Sequence, residues 1–362
     1  MPSLSQHLRE LHQSLRHQQP DLTRIAVALF DADTDMLSTY ACSCDIDNPL
    51  LQYRFPLQQS RSLQQIADTG KSRVINDLRI YADNPTRHSQ ALLQAGYRSS
   101  FTVPIRMGKQ LQGFIFFNAE QCNHFNEEQL VPLEIAALAI SLLVSQQRAQ
   151  ILTLQAALKT AITVTHERNH ETGEHLIRMT DYSRFACRIL GPQLGLSDEY
   201  ITHLIQFSSL HDIGKISTPD HVLLKPGKLT TEEFEVIKGH TSGGLKIIDD
   251  MIENHALSDL EHIQMLREIV ELHHENWDGS GYPHGLKGEQ IPLAARIVAA
   301  CDAFDAITTE RPYKDPIPTT QALQMITQMR GQKLDPLCAD ILLQHPDEIN
   351  AIRRQHHLHG LV

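Results

Sequence analysis

Residues 211–215, with the sequence HDIGK, bring an imidazole, a carboxylate and an ammonium group into one short segment. The adjacent side chains of His211 and Asp212 can bind one or two metal ions, and Lys215 reaches toward the same place. Imidazole and carboxylate ligands without thiolate suit iron, manganese or zinc in a hydrolytic site. Two metal ions bridged by an aspartate can polarise one water molecule and clamp a phosphoryl oxygen. The segment therefore predicts a metal-dependent hydrolase that acts on a phosphate ester.

Further candidate ligands lie on both sides of this segment. Glu171 and His175 have the i, i+4 spacing that places two side chains on one face of a helix. The remaining candidates are His240, His273, His274 and Asp302. Several of them lie within apolar helical stretches or at their ends. A polar or charged group is costly in such a place unless it is paired or bound to metal. Any one of them could be a satisfied core residue, but the whole set favours a metal site.

The segments that carry these residues are predicted to be helical. After about residue 150, apolar residues recur every three or four positions. The helical stretches are 175–190, 198–212, 231–253, 258–273 and 294–309. Clusters of Pro and Gly between them predict loops.

Residues 1–145 instead read as a mixed α/β domain. We predict strands at 23–30, 72–75, 100–105 and 111–117 and a helix at 60–69. A long helix from Asn126 to about His166 would follow. We therefore expect an α/β domain at 1–145, a connecting helix at 146–165 and an all-helical domain at 166–362.

The long helix carries a regular apolar pattern. Val131, Ile135, Leu138 and Leu142 are spaced four-three-four. After a polar break at 145–148, a second set follows with three-four-three spacing: Ile151, Leu154, Leu158 and Ala161. This pattern predicts a parallel pairing of two subunits, so we expect a homodimer. The alternative is a helix that packs on its own domain.

Composition excludes several classes of protein. The chain has 362 residues and a net charge of −11, and no basic face is visible that would bind a nucleic acid polymer. Its six scattered cysteines favour reduced thiols in the cytoplasm over a disulfide framework. The longest apolar stretch, Leu130 to Val144, contains Glu134 and is too short to span a bilayer unaided, so no membrane span is expected.

The helical part closely resembles the HD-GYP family of cyclic dinucleotide phosphodiesterases. The resemblance spans about 155–340 and rests on HDIGK (211–215), GHTSGG (239–244), HHENWDGSGYPHGLKGEQIPLAARI (273–297) and DAFDAITTERPYK (302–314). It implies an all-α HD-type metal phosphohydrolase that cleaves cyclic di-GMP to pGpG and often on to GMP. Some members prefer 3′,3′-cyclic GMP-AMP, and the residues that we can name do not read the base. A non-catalytic receptor for cyclic dinucleotides is a further alternative.

The resemblance also assigns roles to individual residues. The family's metal ligands match His175, His211, Asp212, His240, His273, His274 and Asp302. Asp212 matches the bridging carboxylate and Lys215 the phosphate-contacting lysine, and these two are the expected catalytic residues. Glu171 matches a ligand present in members that hold a third metal. The implied cofactor is therefore iron, as two or three ions, with manganese as the alternative.

The signature loop and two basic residues are the implied substrate contacts. Gly281, Tyr282 and Pro283 form the loop, where Gly permits unusual backbone angles and Pro stiffens the exit. In some members this loop also contacts diguanylate cyclase (GGDEF) partners. Arg311 and Lys314 match basic residues that hold the substrate phosphate.

Residues 20–145 resemble a GAF sensory domain. The stretches IADTGKSRVINDL (66–78) and GYRSSFTVPIRMGKQLQGFIFFNAE (96–120) carry this resemblance. It implies either a ligand-sensing domain that regulates the hydrolase or a domain that only dimerises the protein. The identity of any ligand stays open at this point.

Overall fold

A computed structural model describes residues 3–32, 34–44, 50–83, 86–166, 173–254, 262–309 and 317–357. The chain divides into two compact units. The first comprises residues 1–150 with 197–199, and the second comprises 151–196 with 200–362. The expected fold class, an α/β domain followed by a long helix and a helical domain, is confirmed.

The first unit is built on a six-stranded antiparallel sheet with the order β3-β2-β1-β6-β5-β4 among the described residues. Its strands are β1 (Leu22–Asp31), β2 (Met36–Cys44), β3 (Arg54–Pro56), β4 (Arg73–Ile75), β5 (Ser99–Met107) and β6 (Gln110–Ala119). Its shorter helices are α1 (Leu4–Arg16), α2 (Arg61–Thr69) and α3 (Arg87–Gln94).

Apolar side chains cover both faces of this sheet. Ile25, Val27 and Phe117 belong to a core that includes the apolar residues of α1 and of the long helix after β6. Phe114 and Phe116 belong to a second core on α2. Because apolar side chains cover both faces of the sheet, β1 and β6 are almost continuously apolar instead of alternating between apolar and polar residues.

The strands and the helix predicted for this unit are confirmed, with ends that differ by one or two residues. Gly108 has φ 61° and forms the turn between β5 and β6. Sequence patterns alone do not reveal α1, β2, β3 and α3. The segment of α1 reads as a polar, Gln- and His-rich stretch, yet Leu4, Leu8 and Leu15 are spaced so that all three are buried.

The long helix α4 (Glu127–His166) is confirmed over its predicted length. Its segment Glu127–Ala157 is long and apolar enough to cross a membrane by length and composition, and no second such segment occurs among the described residues. The apolar stretch is longer than the predicted one from Leu130 to Val144, because the uncharged residues 145–147 extend it. A core helix of a soluble protein passes the same criterion, and Leu133, Ala137 and Ile140 are buried in the first unit.

The remaining helices are shorter than α4. They are α5 (Gly173–Leu194), α6 (Asp198–Ser208), α7 (Asp220–Leu223), α8 (Thr231–Lys238), α9 (His240–Asn254), α10 (Ile263–Leu272), α11 (Leu293–Thr308), α12 (Thr319–Met329), α13 (Pro336–Gln344) and α14 (Pro346–His357). The single helix predicted at 231–253 is wrong, because Gly239 caps α8 and separates it from α9. This break makes His240 the first residue of a helix.

Candidate metal centre

Helix ends position most of the candidate ligands. His211 and Asp212 follow α6, His240 begins α9, and His273 and His274 follow α10. A side chain at a helix end points along the axis as well as away from it, so several helices can direct ligands at one point. Buried helices with polar termini therefore account for the mixture of apolar stretches and imidazoles in this part of the sequence.

The structure brings these residues into two adjoining groups of ligand atoms. In the first group the ligand atoms of Asp212, His240, His273 and His274 lie within 4.8 Å of one another. In the second group the ligand atoms of His175, His211 and Asp302 lie within the same limit. His175 lies in the first turn of α5 and Asp302 lies within α11.

Asp212 lies between the two groups. Its Oδ2 is 3.1 Å from His211 Nε2, and its Oδ1 is 3.4 Å from His240 Nε2 and 3.7 Å from His273 Nε2. Each carboxylate oxygen thus faces a different group. One carboxylate placed in this way can bridge two metal ions, one held by each group.

The ring orientation of four histidines is fixed through Nδ1. The Nδ1 atoms of His211, His240 and His273 lie 2.8, 2.6 and 3.0 Å from the backbone oxygens of residues 208, 237 and 269. The Nδ1 of His175 lies 2.7 Å from Oδ2 of Asp305. Donation from Nδ1 leaves each Nε2 free to bind a metal, which is the usual arrangement of histidine ligands.

Buried polar atoms without hydrogen bonds occur at the same place. His175 Nε2, His211 Nε2 and Asp212 Oδ1 are buried and have no hydrogen-bond partner. Native proteins leave few such atoms, and each one costs free energy. Their convergence, with nitrogen and oxygen donors and no thiolate, fits metal ions of the kind that bind imidazole and carboxylate.

The electrostatics of the site favour the same conclusion. Burial raises the pKa of Asp212, but the charges of Lys215 and His211 outweigh it and hold the pKa well below its usual value. Burial lowers the pKa of His240 to about 4. Burial also lowers the pKa of His211, but the carboxylates of Asp212 and Asp302 outweigh it and raise the pKa to about 9. A charged Asp212 and a neutral His240 are the forms in which these two residues bind a metal ion.

Two glycines allow the segment of His211 and Asp212 to approach α9. A Cβ atom on Gly214 would lie 1.7 Å from the carbonyl oxygen of His240. A Cβ atom on Gly244, which lies on α9, would be 3.1 Å from the backbone nitrogen of Gly214. Any side chain at these positions would push the two parts of the site apart.

The loop of Gly281, Tyr282 and Pro283 packs directly on the ligand pair. The Tyr282 ring centroid is 4.9 Å from that of His274, and the Tyr282 N–H donates to the His274 carbonyl oxygen over 3.2 Å. The backbone role predicted for Gly281 is wrong, because the glycines with positive φ lie on either side of this loop, at Gly279 and Gly285, and Gly281 itself does not have a positive φ. Gly281 is required for space, since a Cβ there would lie 2.2 Å from the backbone nitrogen of Asn276.

Replacing Gly281 with Ala is therefore expected to displace the loop. The clash should lower the free energy of unfolding by about 1–3 kcal/mol, as overpacking does elsewhere, and should reduce turnover because Tyr282 leaves His274. Ser280→Ala is the matched control, since Ser280 Oγ accepts one exposed hydrogen bond from Asn276. Chemical denaturation and product assays of both variants test this, and equal behaviour of the two would contradict it.

Sequence reasoning missed Asp305, a buried partner of the site. Its Oδ2 lies 2.7 Å from His175 Nδ1, and it accepts hydrogen bonds of 2.6 and 3.0 Å from Arg178. Burial raises the pKa of Asp305, but the hydrogen bonds from His175 and Arg178 outweigh it and lower the pKa to about 2. Asp305 follows Asp302 by three residues on α11, and that spacing is the signal that could have identified it.

Three further residues were also missed. Glu275 is buried and accepts hydrogen bonds from the backbone N–H groups of His284 and Leu286, over 2.6 and 3.0 Å, so it fixes the loop that follows Pro283. On α8, Phe234 is 45% exposed and its ring centroid is 6.4 Å from that of Tyr282. The ammonium group of Lys238 lies 5.1 Å from the Phe234 ring centroid.

Lys215 lies at the predicted place, with its ammonium group 2.8 Å from Asp212 Oδ2. Three other predicted residues lie outside the described residues, so the structure does not address their roles. They are Glu171, Arg311 and Lys314.

Comparisons with known proteins match two families to successive parts of the chain. The profile of the HD domain family matches residues 164–337. The profile of the GAF domain family matches residues 3–145.

Curated proteins match over different lengths. The chain is 34% identical to the cyclic di-GMP phosphodiesterase response regulator RpfG of Xanthomonas campestris over 93% of this chain and 85% of that protein. It is 41% identical to a cyclic di-GMP phosphodiesterase of Thermotoga maritima over 46% of this chain and 43% of that protein. It is 38% identical to the 3′3′-cGAMP-specific phosphodiesterase 2 of Vibrio cholerae over 51% of this chain and 34% of that protein. The chain thus spans less than half the length of the latter two relatives.

Proposed function

We propose that this chain, which belongs to the HD-GYP family of cyclic dinucleotide phosphodiesterases, hydrolyses cyclic di-GMP to pGpG, GMP or both. The observation that carries the proposal is the position of Asp212 between two groups of imidazole and carboxylate ligands. A phosphodiester is the substrate for which such a paired centre is suited, because metal ions there can stabilise charge on both the attacking and the leaving oxygen.

The ions that fit the donors are iron, with manganese as the alternative. Imidazole and carboxylate donors without thiolate support this choice. His175, His211 and Asp302 would hold one ion, and His240, His273 and His274 another, with Asp212 shared. A third ion would need Glu171. When bound, the ions supply Lewis-acid charge and lower the pKa of coordinated water toward neutrality.

The protein's own groups would bind and orient the substrate around this centre. Lys215 is 19% exposed and provides a positive charge beside Asp212 for a phosphate oxygen. Tyr282 and the exposed ring of Phe234 offer flat apolar surfaces on which a purine base can stack. Arg311 and Lys314 are proposed as additional phosphate contacts.

A side-by-side assay tests the proposal. The metal-loaded protein is incubated under reducing conditions with cyclic di-GMP and with 3′,3′-cyclic GMP-AMP, the products are identified, and bound metal is measured in the same sample. We expect faster loss of cyclic di-GMP. Faster loss of 3′,3′-cyclic GMP-AMP would support that substrate instead, which the 38% identity to a 3′3′-cGAMP-specific enzyme favours as the second candidate. Tight binding of both without turnover would establish a receptor.

We propose that the GAF-like domain regulates this activity. The supporting observation is that the GAF and HD domain profiles match successive parts of one chain. Cytoplasmic localisation is proposed on the six free cysteines, which suit a reducing compartment.

A homodimer through α4 is proposed on its exposed apolar stripe. Val131, Ile135, Leu138 and Leu142 are 58–67% exposed, and Leu152 continues their spacing at 48%. A second copy of the same stripe is the partner that matches this spacing, since coiled coils pair identical heptads. Of the second predicted set, Ile151 and Leu154 do not belong to the stripe, because they are buried in the core of the second unit. The side chains of Leu158 and Ala161 lie outside the described part of the chain.

Replacing Ile135 and Leu138 together with Glu should therefore convert a dimer into a monomer, because two charges per helix would enter the proposed contact. Light scattering during size-exclusion chromatography measures the mass. Ile80→Glu is the control, since Ile80 is 68% exposed and belongs to the segment between β4 and α3 instead of to α4. A monomeric wild-type protein, or a double variant that stays dimeric, would contradict the proposed interface.

We also propose that the loop of Gly281, Tyr282 and Pro283 contacts diguanylate cyclase (GGDEF) partners. Its support is position, because the adjoining His284 and Gly285 are exposed while Tyr282 rests on the site. Lys287→Glu changes the charge of an exposed residue next to this loop and should weaken capture of a purified GGDEF domain without altering turnover. Unchanged capture would count against this surface.

A further inference from the structure

Two cysteines lie side by side at the end of β2. Residues two apart in a strand point to the same face of the sheet, so Cys42 and Cys44 share one face and Ser43 points to the other. On that other face, Ser43 Oγ lies 2.8 Å from Nδ1 of His12. The Sγ atoms of Cys42 and Cys44 are 3.5 Å apart. Both cysteines are partly exposed, so a small reagent can reach them.

A buried cation lies on the same face of the sheet as these two thiols. Arg24 of β1 stands opposite Cys44 in the antiparallel ladder, and it is only 1% exposed. Its Nη1 donates to Oδ1 of Asn118 over 2.8 Å, whereas its Nε is buried and has no hydrogen-bond partner. Asn118 is a neutral partner. A buried guanidinium that keeps a spare donor favours a nearby anion, and a thiolate on the neighbouring strand is one.

These surroundings favour the thiolate form of Cys42. The hydrogen bond with Cys44 and the charge of Arg24 outweigh burial and the charge of Asp198, and they lower the pKa of Cys42 to about 7. The thiolate is the nucleophilic form of cysteine, and reactive cysteines lie beside cations in partly exposed places. Cys187 shows the opposite behaviour, because burial raises the pKa of its thiol to about 12.

The geometry of a strand permits a bond between the two sulfur atoms. Residues two apart in a strand have Cα atoms about 6.4–6.8 Å apart, and disulfides join Cα atoms about 4.4–6.8 Å apart. The Sγ atoms would move from 3.5 Å to about 2.05 Å from each other. Cys44 is the last residue of β2, so a small bend at the strand end is enough. A disulfide near the limit of the permitted geometry is readily reduced again.

From the adjacent sulfur atoms, the buried cation and the partial exposure together, we infer that Cys42 and Cys44 form a reversible oxidation site that reacts with hydroperoxides. The inference concerns the first unit and does not depend on the reaction proposed for the metal centre.

The oxidation proceeds in two steps. The Cys42 thiolate attacks the terminal oxygen of the hydroperoxide and takes its OH group as a sulfenic acid, while the O–O bond breaks and the departing alkoxide takes a proton from water. The Cys44 thiol then attacks the sulfenic sulfur, so that an S–S bond forms and water leaves. Two electrons pass from the pair of thiols to the hydroperoxide, and a thiol reductant returns them.

Peptide mapping of the full-length protein tests this inference. The protein is loaded with Mn²⁺, so that iron does not react with the oxidant, and is treated with hydrogen peroxide before free thiols are blocked with iodoacetamide. We expect a peptide in which Cys42 and Cys44 are both unblocked and which is lighter by two hydrogen atoms. Dithiothreitol should restore both thiols. Without peroxide, the blocking rate of Cys42 should be half-maximal near pH 7, instead of about pH 8.5 as for an ordinary cysteine.

Cysteine variants distinguish the roles of the two sulfur atoms. Cys44→Ser should stop the reaction at the sulfenic acid of Cys42, which dimedone traps, and Cys42→Ser should give neither sulfenic acid nor disulfide. Cys122→Ser is the matched control, because Cys122 is also partly exposed and lies 3.4 Å from Nη2 of Arg79, but it is not part of β2. The control should form the disulfide as the wild type does.

Arg24 variants test the contribution of the buried cation. Arg24→Gln should raise the pH of half-maximal blocking of Cys42 by about one unit, and Arg24→Lys, which keeps the charge, should raise it less. A thermal melt of each variant checks folding.

Three results would overturn the inference, and the first two come from the wild-type protein alone. The first is that Cys42 and Cys44 both stay unmodified in millimolar hydrogen peroxide. The second is that their sulfur atoms are oxidised separately to sulfinic acids without a bond between them. The third is that Cys42→Ser forms a sulfenic acid on Cys44 as fast as Cys44→Ser forms one on Cys42.

Discussion

Replacing Asp212 with Asn is expected to lower turnover of cyclic di-GMP by about a thousandfold or more and to release most of the bound metal. The carboxylate lies between the two ligand groups, with one oxygen facing each. An amide keeps the shape but loses the charge that would hold both ions. Metal ions supply several kcal/mol of charge stabilisation, and each 1.36 kcal/mol is a factor of about ten in rate.

Metal analysis and a product assay on the same sample measure both effects of this substitution. Asp249→Asn is the matched control, because Asp249 pairs with Arg267 on a part of the second unit where both side chains are more than a third exposed. The control should retain both metal and turnover. Near-normal turnover by Asp212→Asn would show that the site is wrongly assigned.

The second large effect is expected from Asp305→Asn, which should weaken the site without touching a ligand. Asp305 holds His175 through Nδ1 and neutralises the buried Arg178. Without this carboxylate Arg178 keeps a 3.6 Å contact with Glu174, which is 37% exposed, and a buried charge that loses its buried partner costs about 3–5 kcal/mol of unfolding free energy. Loss of the partner of a metal-binding histidine typically lowers metal affinity by about 10–100-fold.

Asp340→Asn is the control for this substitution. Asp340 accepts two hydrogen bonds from Arg330, as Asp305 does from Arg178, but those side chains are 33% and 43% exposed. An exposed pair contributes about 1 kcal/mol or less, so little should change. The double variant with Asp305→Asn and Arg178→Met lacks the buried charge of Arg178. Its stability should therefore be restored, but its metal affinity should not. Recovery of both would mean that Asp305 acts only through stability.

The candidate ligands and most helices can be recognised in the sequence, whereas one helix break cannot. Histidine and aspartate in apolar helical segments are costly without partners, so the candidate ligands stand out. The structure brings the seven of them that it describes into two groups, while Glu171 lies outside the described residues. The helices were equally readable, because their apolar spacing is regular. The break at Gly239 was not, since helical periodicity continues across it.

Residues that hold a metal-binding side chain or a neighbouring loop in place leave a weaker pattern in the sequence. Asp305 and Glu275 bond to partners distant in sequence, namely Arg178 and the backbone of the loop after Pro283. Sequence spacing shows neighbours on one helix but not such pairs. The role of Gly281 depends likewise on how closely two segments pass, which only the folded chain reveals.

The dependence of turnover on bound metal tests the central claim most directly. The wild-type protein is stripped with a chelator and reconstituted with increasing Fe²⁺ or Mn²⁺ under reducing conditions, and cyclic di-GMP hydrolysis is measured against metal bound per chain. We predict no turnover without metal, and activity that rises with occupancy and saturates at two or three ions per chain. Turnover by the stripped protein, or none by the fully loaded protein, would contradict a metal-dependent phosphodiesterase centred on Asp212.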